Sequence, residues 1–505
     1  MVLFLIGIGI LVIGGWAYGS YVEKVFGPDD RETPAVALAD GVDYVEMPAW
    51  KNMLIELLNI AGTGPVLGPI QGILFGPIAF ITIPLGCVLA GSLHDYFVGM
   101  ISMRNGGAQI PNLINKYLGG GVQKFYNVII TILLLLTGVV FVYTPGDLIV
   151  RDIMGLDVSS SAVWVVYGII FLYYLAATLF PIDAIIGRIY PIFGAFLIVS
   201  AVGIFIGIIA SGGAGLHAFT EGAKFGLFDA HPTGQIFIPA FFITVACGIM
   251  SGFHGSQATL ISRTVGNEKE GKQTFYYMML VEGFIAMCWA GGGMALYNLL
   301  AQTQGAEAFA IGATPMVGII SRHFMGNIGG LLAIIGVIVL PITSGDTAFR
   351  AMRLIFAETF KIDQADPKKR IGLSLVIFVP ALLILFFAKT NAGGFNLLWR
   401  YFGFTNQFVA VFALAFITVY LKVNGRNYWI SFIPGIFYTF IVMSFIAHAP
   451  IGLNIEVLLG LQVEGGPQVY TVSYIIGVVC AALYYFFVMK IADSRKEIIL
   501  AEDAK

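Results

Sequence analysis

Charge is what this chain has least of. Only 11% of its residues are Asp, Glu, Lys or Arg, where a soluble globular protein carries about a quarter. Hydrophobic residues make up 58%, and mean hydropathy is +0.88. That deficit excludes a water-facing charged shell and points to lipid as the solvent. Neither sign dominates: 27 basic residues meet 29 acidic ones, so no basic surface for nucleic acid and no acidic tail is expected. Cysteine is scarce too. Cys87, Cys247, Cys288 and Cys480 lie in apolar stretches without a C-x-x-C or metal spacing, and they read as small buried hydrophobes. No basic segment precedes the apolar run Met1 to Trp16, which reads as a retained helix rather than a cleaved signal.

What is there is a series of apolar runs of roughly 20 residues, the length that crosses a bilayer as a helix. They predict an all-α membrane protein of about thirteen spans, near 2–20, 53–75, 78–102, 125–146, 162–180, 189–211, 236–257, 275–298, 328–347, 371–388, 403–421, 428–447 and 469–490. The Gly-rich stretch 304–325 is expected to be interfacial or re-entrant. With the N-terminus outside and the C-terminus cytoplasmic, 22 of the 27 basic residues, Arg188 among them, fall in inward loops. Arg151, Lys224, Arg322, Lys389 and Arg400 fall outside. That asymmetry is the positive-inside pattern.

Two spans are interrupted by glycine and polar residues. One break reads Ala61-Gly62-Thr63-Gly64-Pro65, the other Gly248-Ile249-Met250-Ser251-Gly252-Phe253-His254-Gly255. Non-helical backbone at membrane depth needs protein or a wet cavity to satisfy its N–H and C=O groups. Transporters build substrate and ion sites from such half-helix ends. Four spans separate the breaks and four follow the second. Two five-helix units are therefore expected, 53–211 and 236–421, with 1–20 and 428–490 as additions. Five is odd, so the second unit would be inverted relative to the first. A sequence echo, T-x-G-D-x-x-x-R, falls at equivalent places: Thr144-Pro145-Gly146-Asp147 with Arg151, and Thr343-Ser344-Gly345-Asp346 with Arg350.

Several stretches carry a family resemblance: Asp40-Gly41-Val42-Asp43-Tyr44, Ile60-Ala61-Gly62-Thr63-Gly64-Pro65, Gly91-Ser92-Leu93-His94-Asp95, Ser251-Gly252-Phe253-His254-Gly255-Ser256-Gln257, Asp346-Thr347-Ala348-Phe349-Arg350 and Gly403-Phe404-Thr405-Asn406-Gln407. Together they resemble the carbon starvation protein A family of inner-membrane transporters. The resemblance implies a five-plus-five inverted repeat like that of sodium:amino-acid symporters. It also implies uptake of peptides during carbon starvation or, as in close relatives, of pyruvate with protons. Gly345 stands before Asp346-Thr347-Ala348 where the family pattern has Leu, which leaves the substrate open.

The candidate substrate site is Gly62, Thr63, Gly64 and Pro65 with Ser251, Gly252, His254 and Gly255. Pro65 suits the first turn of a restarting helix, and the N–H groups of that turn suit a carboxylate. The alternative is a kink with close packing of small residues. Candidate ion-coupling groups are Ala61, Thr343, Ser344 and Asp346, the hydroxyls by analogy with sodium-coupled relatives of this architecture. Oxygen ligands of this kind suit a hard cation, so Thr343 and Ser344 are a candidate sodium site. In the plainer reading, Asp346 and Arg350 form an i,i+4 pair. His94, Asp95 and Glu282 are proton-relay candidates, being ionisable groups inside apolar spans; a structural network is the alternative. Asn406 and Gln407 read best as hydrogen bonds between helices.

No cofactor is expected; the coupling ion would be a proton or sodium. Gly266 to Lys272 approaches a P-loop, but Gln273 follows where Ser or Thr belongs and no strand precedes it. The expected partners are the bilayer and a peptide or small-molecule substrate. A channel, a transporter-derived nutrient sensor and an intramembrane enzyme are the rival classes.

Overall fold

The computed structural model describes residues 1–41, 43–177, 182–219, 226–363 and 366–503, with the backbone alone along 182–191 and at Glu358. Val42, Lys224, Lys505, the end of the expected span 162–180 and the side chain of Arg188 lie outside the described residues. Among the described residues the fold is helical throughout. Its sole strand-like contact is a bridge between Met47 and Val265.

Among the described residues, ten helices are long and apolar enough to cross a membrane, eleven if one bent pair is counted as a span. The sequence predicts thirteen. The shortfall falls on 162–180, described as a 16-residue helix Ala162–Ala177, and on 236–257, which is broken into Phe237–Thr244, Ala246–Ile249 and Gly252–Ile261. The stretch 304–325, expected to be interfacial or re-entrant, is helical up to a kink. A short 3₁₀ turn Gly305–Ala310 leads into Ala313–Phe360, which bends at Gly326 and continues. Gly326 adopts φ 66°, ψ −170°, a conformation open essentially to glycine alone.

The first broken helix is Ala49–Ile60 followed by Gly64–Phe75, bent by 49° at Ala61 to Thr63. Pro65 sits in the first turn after the break, as expected. In the second, within the predicted Gly248–Gly255 only Met250 and Ser251 are non-helical, and a further interruption falls at Val245. The two broken helices lie antiparallel. Asn52 donates to the Thr264 carbonyl at 3.1 Å near one end. Gly64 packs on Cys247 in the middle, and Gly72 packs on Val245 and Phe241 beyond it.

The T-x-G-D segments do not end their helices. Asp147 and Asp346 are both followed by further helical turns, to Ile153 and Phe360. Ala348, Met352 and Leu354 are good helix formers, and nothing before Phe360 stops the helix.

Candidate functional site

The crossing of the two broken helices is tightly filled. A side chain at Gly62 would run into Phe141, and one at Gly64 into Cys247. Gly91 allows a third close approach: the Ile249 carbonyl, last of its short helix, lies where a Cβ would be. The open backbone at Met250–Ser251 is satisfied from outside the helix. The Asn406 side-chain oxygen accepts from the Ser251 hydroxyl at 2.8 Å and from the Phe253 N–H at 3.0 Å. Its amide N–H donates to Cys247 Sγ at 3.1 Å. Gln407 donates to the Phe242 carbonyl at 2.7 Å. Both residues act as hydrogen bonds between helices, as read from the sequence. The Thr63 hydroxyl, at the first break, is buried with no hydrogen-bond partner in the protein.

On one side of the breaks lies a cluster of fully buried ionisable groups. Asp95 is its hub. One carboxylate oxygen meets His94 Nδ1 at 2.8 Å and the other meets His254 Nδ1 at 3.2 Å. His254 Nε2 lies 3.6 Å from Glu282 Oε2. The structure therefore joins all three proton-relay candidates to His254, which the sequence assigns to the substrate site. Gly255 packs beside the His94 ring. Glu56 is buried on the helix leading into the first break, and neither of its carboxyl oxygens has a hydrogen-bond partner in the protein. Neither oxygen of Glu282 has one, nor has Nε2 of either histidine. Buried polar atoms without partners are rare and often functional. Glu56 escapes the sequence reading although its signal, an acid in an apolar run, is the one that marks Glu282. No group of three His, Cys, Asp or Glu able to hold a metal ion occurs among the described residues.

A π-helical stretch, Cys87–Gly91, immediately precedes Ser92-Leu93-His94-Asp95. Such bulges re-aim the side chains that come after them and recur at functional sites.

On the other side of the breaks is a cavity of about 680 Å³. Gln71 of the first broken helix and Thr244 of the second line it, but no residue of either break does. Its polar lining includes Asp147, Arg151, His231 and Arg400, and Tyr143 and Trp399 supply aromatic wall. Asp147 is held by Lys389 at 2.8 and 2.9 Å and accepts from the Tyr167 hydroxyl at 2.5 Å. Burial, helped by the nearby Arg400 charge, pushes the His231 imidazole down to about 4. Sequence reasoning missed His231, Trp399 and Arg400, because no local pattern brings them together.

The cluster side is sealed. Arg104 makes two bonds to Glu268, at 2.8 and 2.9 Å, and donates to the Gly27 carbonyl at 2.8 Å. Ser102 and Ser262 share a hydrogen bond of 2.8 Å.

The ion-coupling candidates are only partly gathered. The Ser344 hydroxyl reaches the first broken helix, donating to the Leu58 carbonyl at 3.0 Å, three residues short of Ala61. Thr343 turns back to the Leu340 carbonyl at 2.8 Å on its own helix. Asp346 accepts from the Tyr173 hydroxyl at 3.1 Å, which sets it on a different contact from Ser344.

Comparison with known proteins places this geometry. The sequence profile of Carbon starvation protein CstA matches residues 1–155, 128–290 and 292–445. A membrane protein of Haemophilus influenzae is 41% identical over 342 residues, covering 59% of this chain and 92% of its own. The peptide transporter CstA of Mycobacterium tuberculosis is 26% identical, covering 84% of this chain and 71% of its own. That of Escherichia coli is 25% identical, covering 83% and 76%. Among solved structures, a manganese transporter mutant of Eremococcus coleocola aligns with a TM-score of 0.57 at 13% identity, over 92% of this chain and 99% of the other. That likeness is one of fold. A multi-pass helical membrane protein with two broken helices crossing between a polar cavity and a buried acid–histidine cluster, this chain belongs to the carbon starvation protein CstA family.

Proposed function

We propose that this protein is a secondary active transporter that imports short peptides or, alternatively, pyruvate or a similar small carboxylate, driven by an ion gradient. The observation that carries the proposal is the partition at the breaks. The antiparallel broken helices separate a polar cavity on one side from the sealed cluster on the other. Rocking one bundle against the other about the breaks would close the first side and open the second. The antiparallel crossing supports an inverted repeat of 53–211 and 236–421. The basic-residue asymmetry supports an N-terminus outside, which would put the cavity outside and the Arg104–Glu268 latch on the cytoplasmic face. The family relationship supports a role in carbon starvation.

The coupling ion we favour is the proton. Asp95 meets both His94 and His254, Glu282 lies beside His254, and Glu56 lies near Asp95 and Glu282, all five groups being buried. With all five groups ionised, three negative charges would stand against two positive ones, an imbalance that burial makes costly; one bound proton removes it. Sodium is the second reading, resting on Ser344 beside the Leu58 carbonyl. The substrate carboxylate would dock on the backbone N–H groups of Thr63 and Gly64, where the helix restarts ahead of Pro65, once the crossing loosens, with Gly62, Ser251, Gly252 and Gly255 around it.

The test is uptake by purified protein in proteoliposomes, with labelled tripeptide or pyruvate, under an imposed pH gradient, an imposed sodium gradient, or neither. Accumulation against the solute gradient with the pH gradient alone supports the proposal. Accumulation with sodium alone moves the coupling to Ser344. Equilibration without accumulation under every gradient makes the protein a channel or facilitator.

A further inference from the structure

We propose that Arg400 and Trp399 form a capture site for carboxylates in the cavity, separate from the breaks. The case begins with charge. Asp147 is matched by Lys389, at 2.8 Å. Arg151 pairs with Asp152 at 2.7 Å, a carboxylate it shares with Arg322 at 3.1 Å, and also donates to the Thr314 carbonyl at 2.8 Å. His448 meets Glu456 at 3.2 Å. Arg400 lines the same cavity, and no carboxylate among the described residues lies within ion-pairing distance of it. Among the described residues, Arg400 is thus a cavity-lining cation with no carboxylate partner.

The second observation is independent. Trp399, the residue beside Arg400, is 5% exposed and lines the cavity, and its indole N–H has no acceptor in the protein. An indole N–H can only donate. A buried donor without an acceptor is costly, and an incoming oxygen would relieve it. A guanidinium fork and an unpaired indole N–H on the lining of one cavity suit a carboxylate, which has two oxygens to share between them. The apolar remainder of the ligand would meet Tyr143, Phe395 and Tyr470. Gln71 and Thr244, on the same lining, lead from this point toward the breaks.

The inference rests on the transport reading only for the steps after capture; binding itself does not require transport. Two sources offer the same chemistry, a keto acid and the free C-terminus of a peptide. The test is equilibrium binding to the full chain in nanodiscs, using labelled pyruvate, labelled trialanine and trialanine C-terminal amide. The expected result is saturable binding of at least one free acid, at least tenfold weaker binding of the amide, and weakening of acid binding as salt rises. Arg400→Gln should weaken acid binding at least tenfold, Arg400→Lys less, and Trp399→Phe several-fold. In proteoliposomes Arg400→Gln should raise KM and leave the maximal rate within about twofold.

Unchanged affinity in Arg400→Gln, or an amide that binds as well as the acid, overturns the capture site, as does failure of both acids to bind the unaltered protein at millimolar concentration. Which acid binds identifies the source. Arg400 is exposed, so its variants should melt at the temperature of the unaltered protein; if they do not, Trp399→Phe decides. Binding without uptake would overturn the transporter proposal and leave capture standing.

Discussion

Gly64 and Cys247 sit against each other where the two broken helices cross. A methyl group placed on Gly64 would overlap the Cβ and Sγ atoms of Cys247. One residue opens the helix after the first break, and the other lies just before the second. The crossing is thus held by the absence of a side chain on one helix and by a small one on the other.

Gly64→Ala should destabilise the protein by about 1–3 kcal/mol through overpacking, and Gly64→Leu by more. Pairing Gly64→Ala with Cys247→Gly should recover most of the loss, because contacting residues are not additive. Thermal melting in detergent of the four proteins of that cycle measures it. Additive losses would mean that the two residues do not share one contact.

Asn406→Ala would leave the Ser251 hydroxyl and the Phe253 N–H without their acceptor. Each orphaned buried donor costs about 1–3 kcal/mol, so a fall in melting temperature and in uptake is expected. Ser251→Ala on top of Asn406→Ala should add little, since one partner is already gone. A full further loss would separate Ser251 from Asn406.

Glu282→Gln and Glu56→Gln should abolish accumulation driven by a pH gradient while solute exchange between preloaded vesicles continues. His254→Ala, which removes the link between Asp95 and Glu282, should do the same. Accumulation at the normal level in all three variants would leave the cluster a structural network. Asp346→Asn, whose carboxylate meets only the Tyr173 hydroxyl among described hydrogen bonds, tests the remaining carboxylate by the same assay.

Arg104→Gln would remove the two guanidinium bonds to Glu268, whose side chain is 1% exposed, and leave it the Asp29 N–H at 3.0 Å and Arg31 at 3.7 Å. Hydrogen bonds to charged groups are worth about 1.5–3 kcal/mol, enough to shift a balance between sealed and open forms. A cysteine placed at Ser262, in a protein lacking Cys480, should then react with a water-soluble thiol reagent several-fold faster. An unchanged labelling rate would show that the Arg104–Glu268 pair does not hold that side shut.

His231 provides a pH test. Burial, with Arg400 nearby, pushes it down to about 4, from about 6.5 in the unfolded chain. Its lowered folded value means that the folded state holds the neutral imidazole. The associated stability is fully present above pH 6.5 and is lost as pH falls from there through about 4. At pH 5–7 His231 stays neutral in the folded protein, so His231→Asn should leave the pH profile of uptake unmoved. A shifted profile would place the titrating group in the cavity.

Much of the outline is local information. Low charge and long apolar runs require helices in lipid, because a bare backbone there must bond to itself. Gly62, Thr63 and Pro65 mark a break because their own backbone preferences make one, and His94, Asp95 and Glu282 stand out because an ionisable group in an apolar run is costly. Asn406 could likewise be read as a contact between helices. Its partner could not, since Ser251 lies 155 positions away.

Only the tertiary structure decided the rest. Packing made Asp95 the common partner of His94 and His254, added Glu56 to the enclosed cluster, and drew Ser344 to the first broken helix while Thr343 turned away. It also ran the T-x-G-D segments on as helix and left Arg400 beside Trp399 without a carboxylate. The reason is physical. Backbone preference and hydropathy act over a few residues, whereas ion pairs and hydrogen bonds act over a few ångströms between segments that the chain brings together only when it folds.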